Sequence, residues 1–269
     1  MELIDIGANL THESFSHDLA EVLERARQAD VIQMMVTGAS HQGSEAALEL
    51  ARGYPGLLFA TCGNHPHYAD EFSDAMAADF ARWSEADEVK AMGETGLDYF
   101  RDLSPRPKQQ QSFEAQLELA VASGKPVFLH QRDAHEDFLA IVTRYRDQLS
   151  RAVVHCFTDS EQALNDYLDL DLYIGITGWI CDERRGRHLK DLVSRIPEDR
   201  LMVETDSPYL LPRDLKPKPA SRRNEPCHLP HIVREIAACR GETPEVTAAN
   251  SLRTAREFFA LEPNQHSSE

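Results

Sequence analysis

The segment 92–99, MGETGLDY, follows the short apolar run Val89–Met92 and places Glu94 between Gly93 and Gly96. A short apolar run that ends in a glycine-rich polar segment is typical of a buried strand followed by a loop. We therefore predict a strand over Val89–Met92 that delivers the carboxylate of Glu94 into an open loop. Similar runs elsewhere in the chain end in histidine or aspartate, and this pattern decides the predicted fold.

Eight such runs alternate with segments of helical periodicity. They are nearly continuous in apolar residues, as expected of parallel strands covered on both faces. Eight β/α units in about 250 residues are the usual size of a TIM barrel. A doubly wound sheet is the main alternative, but no glycine-rich phosphate-binding motif follows the first run. We predict an α/β fold, a TIM (β/α)8 barrel, with strands at Leu3–Ile6, Val31–Val36, Leu57–Thr61, Val89–Met92, Pro126–Leu129, Ala152–Val154, Leu172–Ile176 and Leu201–Val203.

The chain has 269 residues and no repeat, low-complexity segment or linker that would divide it. We predict one domain over residues 1–261 and a disordered tail over 262–269. The 45 acidic residues outnumber the 28 basic ones, for a net charge of −17. Such a protein repels nucleic acids and anionic membranes at long range. A polyanionic substrate would therefore need a local basic patch or a metal ion.

The five cysteines are odd in number and form no CxxC pair. This argues against a disulfide framework and favours a reducing compartment. The N-terminus has no signal-peptide pattern, and no apolar run approaches the roughly 18 residues of a membrane span. We expect a cytoplasmic protein with no membrane association.

Polar residues follow the predicted strands at their C-terminal ends, where TIM barrels carry their active sites. Imidazoles and carboxylates from separate strand ends form a mixed nitrogen and oxygen site that suits Zn²⁺, Mn²⁺ or Mg²⁺. A metal ion there would lower the pKa of a bound water molecule. Because side chains of a strand alternate between faces, Glu204 shares a face with Asp206 and lies one layer deeper. The candidates are Asp5, Asn9, His65, His67, Glu94, His130, His155, Glu204 and Asp206.

Each candidate also has a structural explanation. A single histidine at a strand end is more often a hydrogen-bonding residue than a ligand. Glu94 could be a helix-cap acid or an ion-pair partner, and Asp206 could be a turn residue before Pro208. Several such residues at the ends of different strands are hard to explain in this way, so the combined pattern favours a metal site.

With these motifs the chain resembles the TatD family of metal-dependent deoxyribonucleases. The similarity covers nearly the whole chain and is carried by DIGANLT, GNHPH, GETGLDY, FLHQRDA, VVHCFTD, YIGITGWICDERRG and ETDSPYLLPRDLKPKPASRRNEP. It implies a TIM barrel of the metal-dependent hydrolase type. It also implies a 3′-5′ exonuclease, supported by Mg²⁺ or Mn²⁺, that acts on single-stranded DNA, with RNA as a further candidate. DNA repair or nucleic-acid turnover is the implied role.

By position, the resemblance implies that Glu94, His130 and His155 hold the metal. Asp206 matches an acid that binds metal or acts on the attacking water, and His65 matches a histidine near the scissile phosphate. Mg²⁺ is the expected ion, with Mn²⁺ and Zn²⁺ as alternatives. Many relatives open with an HxH pair on the first strand, but this chain has Gly7 and Asn9 there. This departure favours a hard cation over a tightly held zinc pair.

Basic residues after the predicted strands are candidates for binding the substrate. Arg132 follows the fifth strand, and Arg222 and Arg223 lie in the basic loop after the eighth strand. They could form a phosphate-binding rim, although a solvated loop with scattered charge would look the same. The aromatic residues Tyr99, Phe100, Trp179 and Tyr209 could stack an unpaired base, although Trp179 could instead pack in the barrel.

Two other functions stay open. One is a different hydrolase on the same scaffold, an amidohydrolase or an aminoacyl-tRNA deacylase, against which the missing HxH pair counts. The other is a non-catalytic binding barrel, against which the set Glu94, His130, His155 and Asp206 counts. The sequence does not indicate a protein partner, the number of metal ions or the oligomeric state.

Overall fold

The computed structural model describes residues 1–262, so most of the predicted tail over 262–269 lies outside the described residues. Eight parallel strands follow one another in sequential order around one sheet. The backbone after the last strand returns to the first, because Asp206 N donates to Gly7 O at 2.8 Å and Asn9 N donates to Ser207 O at 2.7 Å. The strands are β1 Leu3–Ala8, β2 Val31–Val36, β3 Leu58–Cys62, β4 Val89–Asp98, β5 Val127–Arg132, β6 Ala152–Val154, β7 Tyr173–Ile176 and β8 Leu201–Val203.

The fold is therefore the predicted TIM barrel, and the doubly wound alternative is excluded because the sheet order runs from β1 to β8 without a reversal. Within residues 1–262, no helix has both the length and the apolar character needed to cross a membrane. The α-helices are α1 Leu19–Gln28, α2 His41–Gly53, α3 Asp74–Ser84, α4 Arg106–Ser123, α5 His135–Tyr145, α6 Glu161–Asp169, α7 Arg187–Leu192, α8 Leu229–Arg240 and α9 Pro244–Phe259.

The apolar core has two layers. The larger layer lies between the strands and the surrounding helices. The smaller layer collects alternate residues of the strands, such as Ile4, Phe128 and Met202, with Phe258 and Phe259 of α9. This alternation follows from the period of two along a strand, which sends every second side chain to the barrel interior. The last turn of α9 therefore packs against the barrel interior, and the strand ends that carry polar residues remain available for a site.

The prediction for β4 was wrong in one respect. The strand does not stop at Met92 but continues through Glu94 to Asp98, and Gly96 pairs with His130 of β5. Gly96 has a φ of +146°, and a Cβ atom on it would collide with the carbonyl oxygen of His130. The glycine thus permits close approach of two strands, and Glu94 lies on a paired strand and not in an open loop.

Candidate metal centre

A cavity of about 670 Å³ lies where the C-terminal strand ends meet. The cavity brings together the predicted ligands and Arg132, one of the three predicted phosphate contacts, from the ends of five of the predicted strands. Its charged and imidazole lining includes His65, His67, Glu94, Asp98, Arg101, His130, Arg132, His155, Arg185 and Asp206.

One carboxylate oxygen of Glu94 is the centre of this cavity. Glu94 Oε1 lies 2.7 Å from His155 Nε2, 2.9 Å from His130 Nδ1 and 3.3 Å from His65 Nε2. Burial alone would raise the pKa of Glu94, but the neighbouring imidazoles, His155 first, hold it well below the usual 4.5. Glu94 is therefore an anion that faces three imidazole nitrogens.

His155 is oriented by a second buried carboxylate. Its Nδ1 lies 3.4 Å from Oε2 of Glu204, and Glu204 Oε1 accepts the backbone N–H of Cys156 at 2.5 Å. Glu204 is fully buried and lies one layer below Asp206, as the strand alternation predicts. Burial would lower the pKa of His155, but Glu94 and Glu204 outweigh it and hold this pKa well above 6.5. With Nδ1 turned to Glu204, Nε2 is the nitrogen presented to the cavity.

His130 also lies between two buried carboxylates, but with its two ring nitrogens exchanged relative to His155. Its Nδ1 faces Glu94, while its Nε2 lies 3.3 Å from Oδ2 of Asp98. Asp98 is 1% exposed and is also 2.8 Å from Nε2 of His67. Histidine ligands of metals usually donate their second N–H to a carboxylate, which fixes the ring and its tautomer. Asp98 and Glu204 are placed to do this for His130 and His155.

His65 differs from the other two histidines. Its Nδ1 accepts the backbone N–H of His67 at 3.1 Å, so in the neutral ring the proton must lie on Nε2. Burial is the largest cause that lowers the pKa of His65, to about 4, so the ring is neutral near pH 7. His65 Nε2 can therefore donate a hydrogen bond into the cavity, which suits a contact to an anion better than a metal bond.

Asp206 lies at the wall of the same cavity, just past β8. Asn9 Nδ2 donates to its Oδ1 at 3.0 Å, which links the first and last strand ends. Burial first, with the charges of Glu94 and Glu204, raises the pKa of Asp206 to about 7 against the opposing effect of His155. The carboxyl can thus gain or lose a proton near neutral pH.

The donor set fits a divalent cation. The potential ligand atoms of His65, Glu94 and His130 lie within 4.8 Å of one another, and His155 Nε2 is in contact with the same Glu94 oxygen. A set of one carboxylate and two imidazoles can bind Mg²⁺, Mn²⁺ or Zn²⁺. A buried carboxylate orients each of the two imidazoles. The neutral tautomer of His65 argues for His155 in its place as the second imidazole ligand.

The rim of the cavity combines guanidinium groups with aromatic rings. The Arg132 guanidinium lies 3.8 Å from the ring centre of Phe100, and that of Arg185 lies 4.5 Å from Trp179. Phe100 is 56% exposed and Tyr209 is 51% exposed. Exposed aromatic faces beside arginine are the groups that bind unpaired bases and phosphates.

The structure does not bring Arg222 and Arg223 to this cavity. Arg222 is exposed and is not among the lining residues. Arg223 is held elsewhere: it donates to Asp18 at 2.6 and 2.7 Å and to Glu225 at 2.7 Å. Arg25 bonds the same two carboxylates, so the guanidinium of Arg223 belongs to a network that ties the loop after β8 to α1.

Sequence reasoning assigned no role to Asp98 and did not identify the partner of Glu204. The signal for Asp98 was available, because residues 94, 96 and 98 share one face of an unbroken strand. It was missed because the glycines of GETGLDY indicate a loop when read locally. The partners of Glu204 come from β6 and could not be deduced from the spacing within β8.

Comparison with known proteins identifies the family of the chain. The TatD-related DNase family model matches residues 4–260. A protein of Pectobacterium carotovorum named 3'-5' ssDNA/RNA exonuclease TatD is 49% identical over 259 residues, which cover 96% of this chain and 100% of that protein. A protein of the same name from Dickeya dadantii is 51% identical over 257 residues, covering 96% and 97%.

A solved structure of a TatD homologue from Escherichia coli, YJJV, superposes with a TM-score of 0.88 at 28% identity and covers 97% of this chain and 98% of that one. A TatD-family hydrolase from Entamoeba histolytica shares the fold, with a TM-score of 0.87 at 24% identity over 97% and 99% of the two chains. The match of the family model over almost all of the barrel, together with these relatives, shows that this chain belongs to the TatD-related DNase family of hydrolases.

Proposed function

We propose that this chain is a divalent-metal-dependent nuclease that removes nucleotides from the 3′ ends of single-stranded DNA and of RNA. One observation carries the proposal: His130 and His155 converge on one oxygen of Glu94, at 2.9 and 2.7 Å, inside a cavity rimmed by arginine and exposed aromatic rings. The names of the Pectobacterium and Dickeya relatives support the proposed substrates and direction.

In this proposal Glu94, His130 and His155 hold the metal ion, and Asp206 is a further ligand or acts on water. Mg²⁺ is the proposed ion, with Mn²⁺ and Zn²⁺ as alternatives, because Gly7 and Asn9 offer no imidazoles for a zinc pair. The cation would neutralise charge on the phosphate and make a bound water more acidic. Asp98 and Glu204 orient the two histidine ligands.

Asp206 is proposed for proton transfer, and His65 and Arg132 are proposed for binding the phosphate. Asp206, with a pKa raised to about 7, accepts a proton from water, and Asn9 holds its carboxylate in place through a 3.0 Å hydrogen bond. His65 donates its Nε2–H to a phosphate oxygen, and Arg132 pairs with the phosphate charge. These contacts counter the repulsion between the substrate and a protein of net charge −17.

The shape of the cavity supports action on a strand end. A volume of about 670 Å³ is in the range of pockets that hold one small ligand. Phe100 and Tyr209 at the rim can stack unpaired bases, which a duplex does not expose. We propose that this combination favours single strands over duplexes. We further propose a single domain over residues 1–261 and a role in DNA repair or nucleic-acid turnover in the cytoplasm.

A nuclease assay tests the proposal. Protein stripped with a chelator is incubated with single-stranded DNA, duplex DNA or RNA labelled at the 5′ end, with Mg²⁺, Mn²⁺ or Zn²⁺ added back. We expect a ladder that shortens from the 3′ end, faster on single strands, and no cleavage without metal. Glu94→Gln keeps the size of the side chain and removes its charge, so it should abolish the metal-restored activity.

Other results would contradict parts of the proposal. Internal cleavage products would exclude an exonuclease, and equal rates on duplexes would remove the role given to the rim. Hydrolysis of aminoacyl esters or amides together with inertness towards all nucleic acids would favour another hydrolase on the same barrel. Full activity of Glu94→Gln would exclude Glu94 from the metal centre.

A further inference from the structure

A second group of metal-binding side chains lies outside the catalytic cavity. The potential ligand atoms of Cys181, Asp214 and His231 lie within 4.8 Å of one another. His231 Nε2 is already 2.7 Å from Oδ1 of Asp214. Two ligands of a tetrahedral ion with bonds of about 2.0–2.3 Å lie about 3.3–3.8 Å apart, so a shift of about 1 Å would complete the geometry.

Three separate parts of the chain supply these side chains. Cys181 ends the short 3₁₀ helix Gly178–Cys181 after β7, Asp214 lies in the loop after β8, and His231 lies in α8. Cys181 is 2% exposed, whereas the side chain of Asp214 is 41% exposed and that of His231 is 27% exposed. The group therefore has a buried thiol at its floor and is open to solvent on the other side, so an ion can reach it.

The charges around the group favour a cation. Asp214 and Glu235 are the acids that face the thiol, and Lys190 is the base. The ammonium of Lys190 is paired with Glu235 at 2.5 Å, so the partner of Asp214 within this group is His231, at 2.7 Å. The thiol of Cys239 lies beside Glu235, at 3.9 Å, as an additional soft donor nearby.

We propose that Cys181, Asp214 and His231 form a second metal site, which takes a borderline-soft divalent cation such as Zn²⁺. Thiolate and imidazole are the donors that Zn²⁺ and Co²⁺ prefer over Mg²⁺ or Ca²⁺, and three protein ligands leave one position for water. Binding releases the thiol proton to solvent and requires that His231 carry its ring proton on Nδ1. The site thus selects a different ion from the hard cation proposed for the catalytic centre.

The second site lies next to two segments that form the wall of the catalytic cavity. Trp179, two residues before Cys181, and Leu210, four residues before Asp214, both line the catalytic cavity. An ion bound by Cys181, Asp214 and His231 would join these two wall segments to α8. The second site therefore acts as a clamp on the wall of the cavity and takes no part in the hydrolysis itself.

Cobalt titration of the full chain tests the site. Chelator-treated protein is titrated with Co²⁺, and the thiolate-to-cobalt charge-transfer absorption is recorded, because the catalytic ligands Glu94, His130 and His155 contribute no thiolate. We expect this absorption in the unmodified protein and its loss in Cys181→Ser. Cys156→Ser is the matched control and should keep it, since Cys156 lines the catalytic cavity.

The second measurement is thermal unfolding with and without Zn²⁺. Zn²⁺ should raise the unfolding midpoint of the unmodified protein and of Glu94→Gln, and Asp214→Asn should bind Zn²⁺ at least tenfold more weakly. Asp214 is exposed, so this variant decides the question if Cys181→Ser does not fold. Absence of the thiolate absorption in the unmodified protein, or its loss in Cys156→Ser alone, would overturn the proposal.

Discussion

The carboxylate of Glu204 occupies the space that a side chain at position 7 would need. A Cβ atom on Gly7 would lie 2.5 Å from Oε2 of Glu204. The buried carboxylate of Glu204, just past the eighth strand, fills this place. Glu204 in turn lies 3.4 Å from His155, so the space beside Gly7 holds the carboxylate that orients a proposed ligand.

Gly7→Ala should disturb this arrangement. The added methyl group forces Glu204 away from His155, and overpacking of this kind costs about 1–3 kcal/mol of unfolding free energy. Loss of the carboxylate behind a metal ligand lowers metal affinity or activity by about 10–100-fold. Urea denaturation and Mn²⁺ titration measure the two effects. Gly53→Ala is the control, because a Cβ there meets nothing within 4 Å; equal behaviour of the two variants would contradict the role of Gly7.

Asp206→Asn should keep metal binding and lose hydrolysis. Asparagine has the same shape and can still lie beside Asn9, but it cannot accept a proton from water, a contribution of about 10²–10⁴-fold in rate. Single-turnover rates and calorimetric titration with Mn²⁺ separate the two properties. An active variant would remove Asp206 from proton transfer, whereas a variant that no longer binds Mn²⁺ would make it a required ligand.

Arg222 and Arg223 should behave differently although they are neighbours. Arg222→Gln should leave stability unchanged. A fall of about 0.7 in the slope of the logarithm of the single-strand binding constant against the logarithm of the salt concentration would identify one phosphate contact of Arg222. Arg223→Gln should lower the unfolding free energy by about 1–3 kcal/mol, because the carboxylates of Asp18 and Glu225 lose a charged hydrogen-bond donor. Fluorescence anisotropy against salt concentration and urea denaturation measure these effects. If Arg223→Gln changed the salt dependence of single-strand binding without lowering the unfolding free energy, Arg223 would be a substrate contact.

Phe100→Ala should weaken binding of single strands. Stacking of a base on an aromatic ring is worth about 1–3 kcal/mol, so the dissociation constant should rise by about fivefold or more. Leu103→Ala is the matched control, because Leu103 is equally exposed, at 57% against 56%, but has no ring. Anisotropy with labelled single strands gives both constants. Equal losses in the two variants would mean that Phe100 acts only as apolar surface.

The contribution of Asp5 to the unfolding free energy should fall as the pH rises from about 4 to 7. Burial raises its pKa from 3.8 to about 7, so between these values the folded state holds a proton that the unfolded state has released. Stability contributed by the protonated form is therefore complete at low pH and is lost as the pH passes through this window.

Asp5→Asn removes this titration and can still hydrogen-bond Thr205, which donates to Asp5 Oδ2 at 2.5 Å. The difference in unfolding free energy between variant and unmodified protein should change by about 3 kcal/mol between pH 4.5 and pH 8, because this range covers about 2.5 units below the folded-state pKa of about 7. Urea denaturation at the two pH values measures it. A difference that does not depend on pH would show that Asp5 is ionised in the folded protein.

The barrel could be predicted from sequence because its signals are local. The apolar runs at residues 31–36, 152–154 and 201–203 coincide with β2, β6 and β8. Glu94, His130, His155 and Asp206 could be selected together because parallel strands of a barrel end at one face. The extent of β4 was mispredicted, because Gly96 indicates a break locally, whereas the close approach of His130 on β5 requires it.

The order and type of the strands, and the set of polar residues at their ends, follow from the sequence alone, since apolar periodicity and strand-end position are properties of neighbouring residues. Only the tertiary structure decided which partner each polar side chain has. Glu204 meets His155 across 49 positions of the chain, and Arg223 meets Asp18 across 205 positions. Cys181 and His231, 50 positions apart, have potential ligand atoms within 4.8 Å of each other. Such contacts depend on how the closed barrel and its loops are folded in space, which the spacing along the chain does not encode.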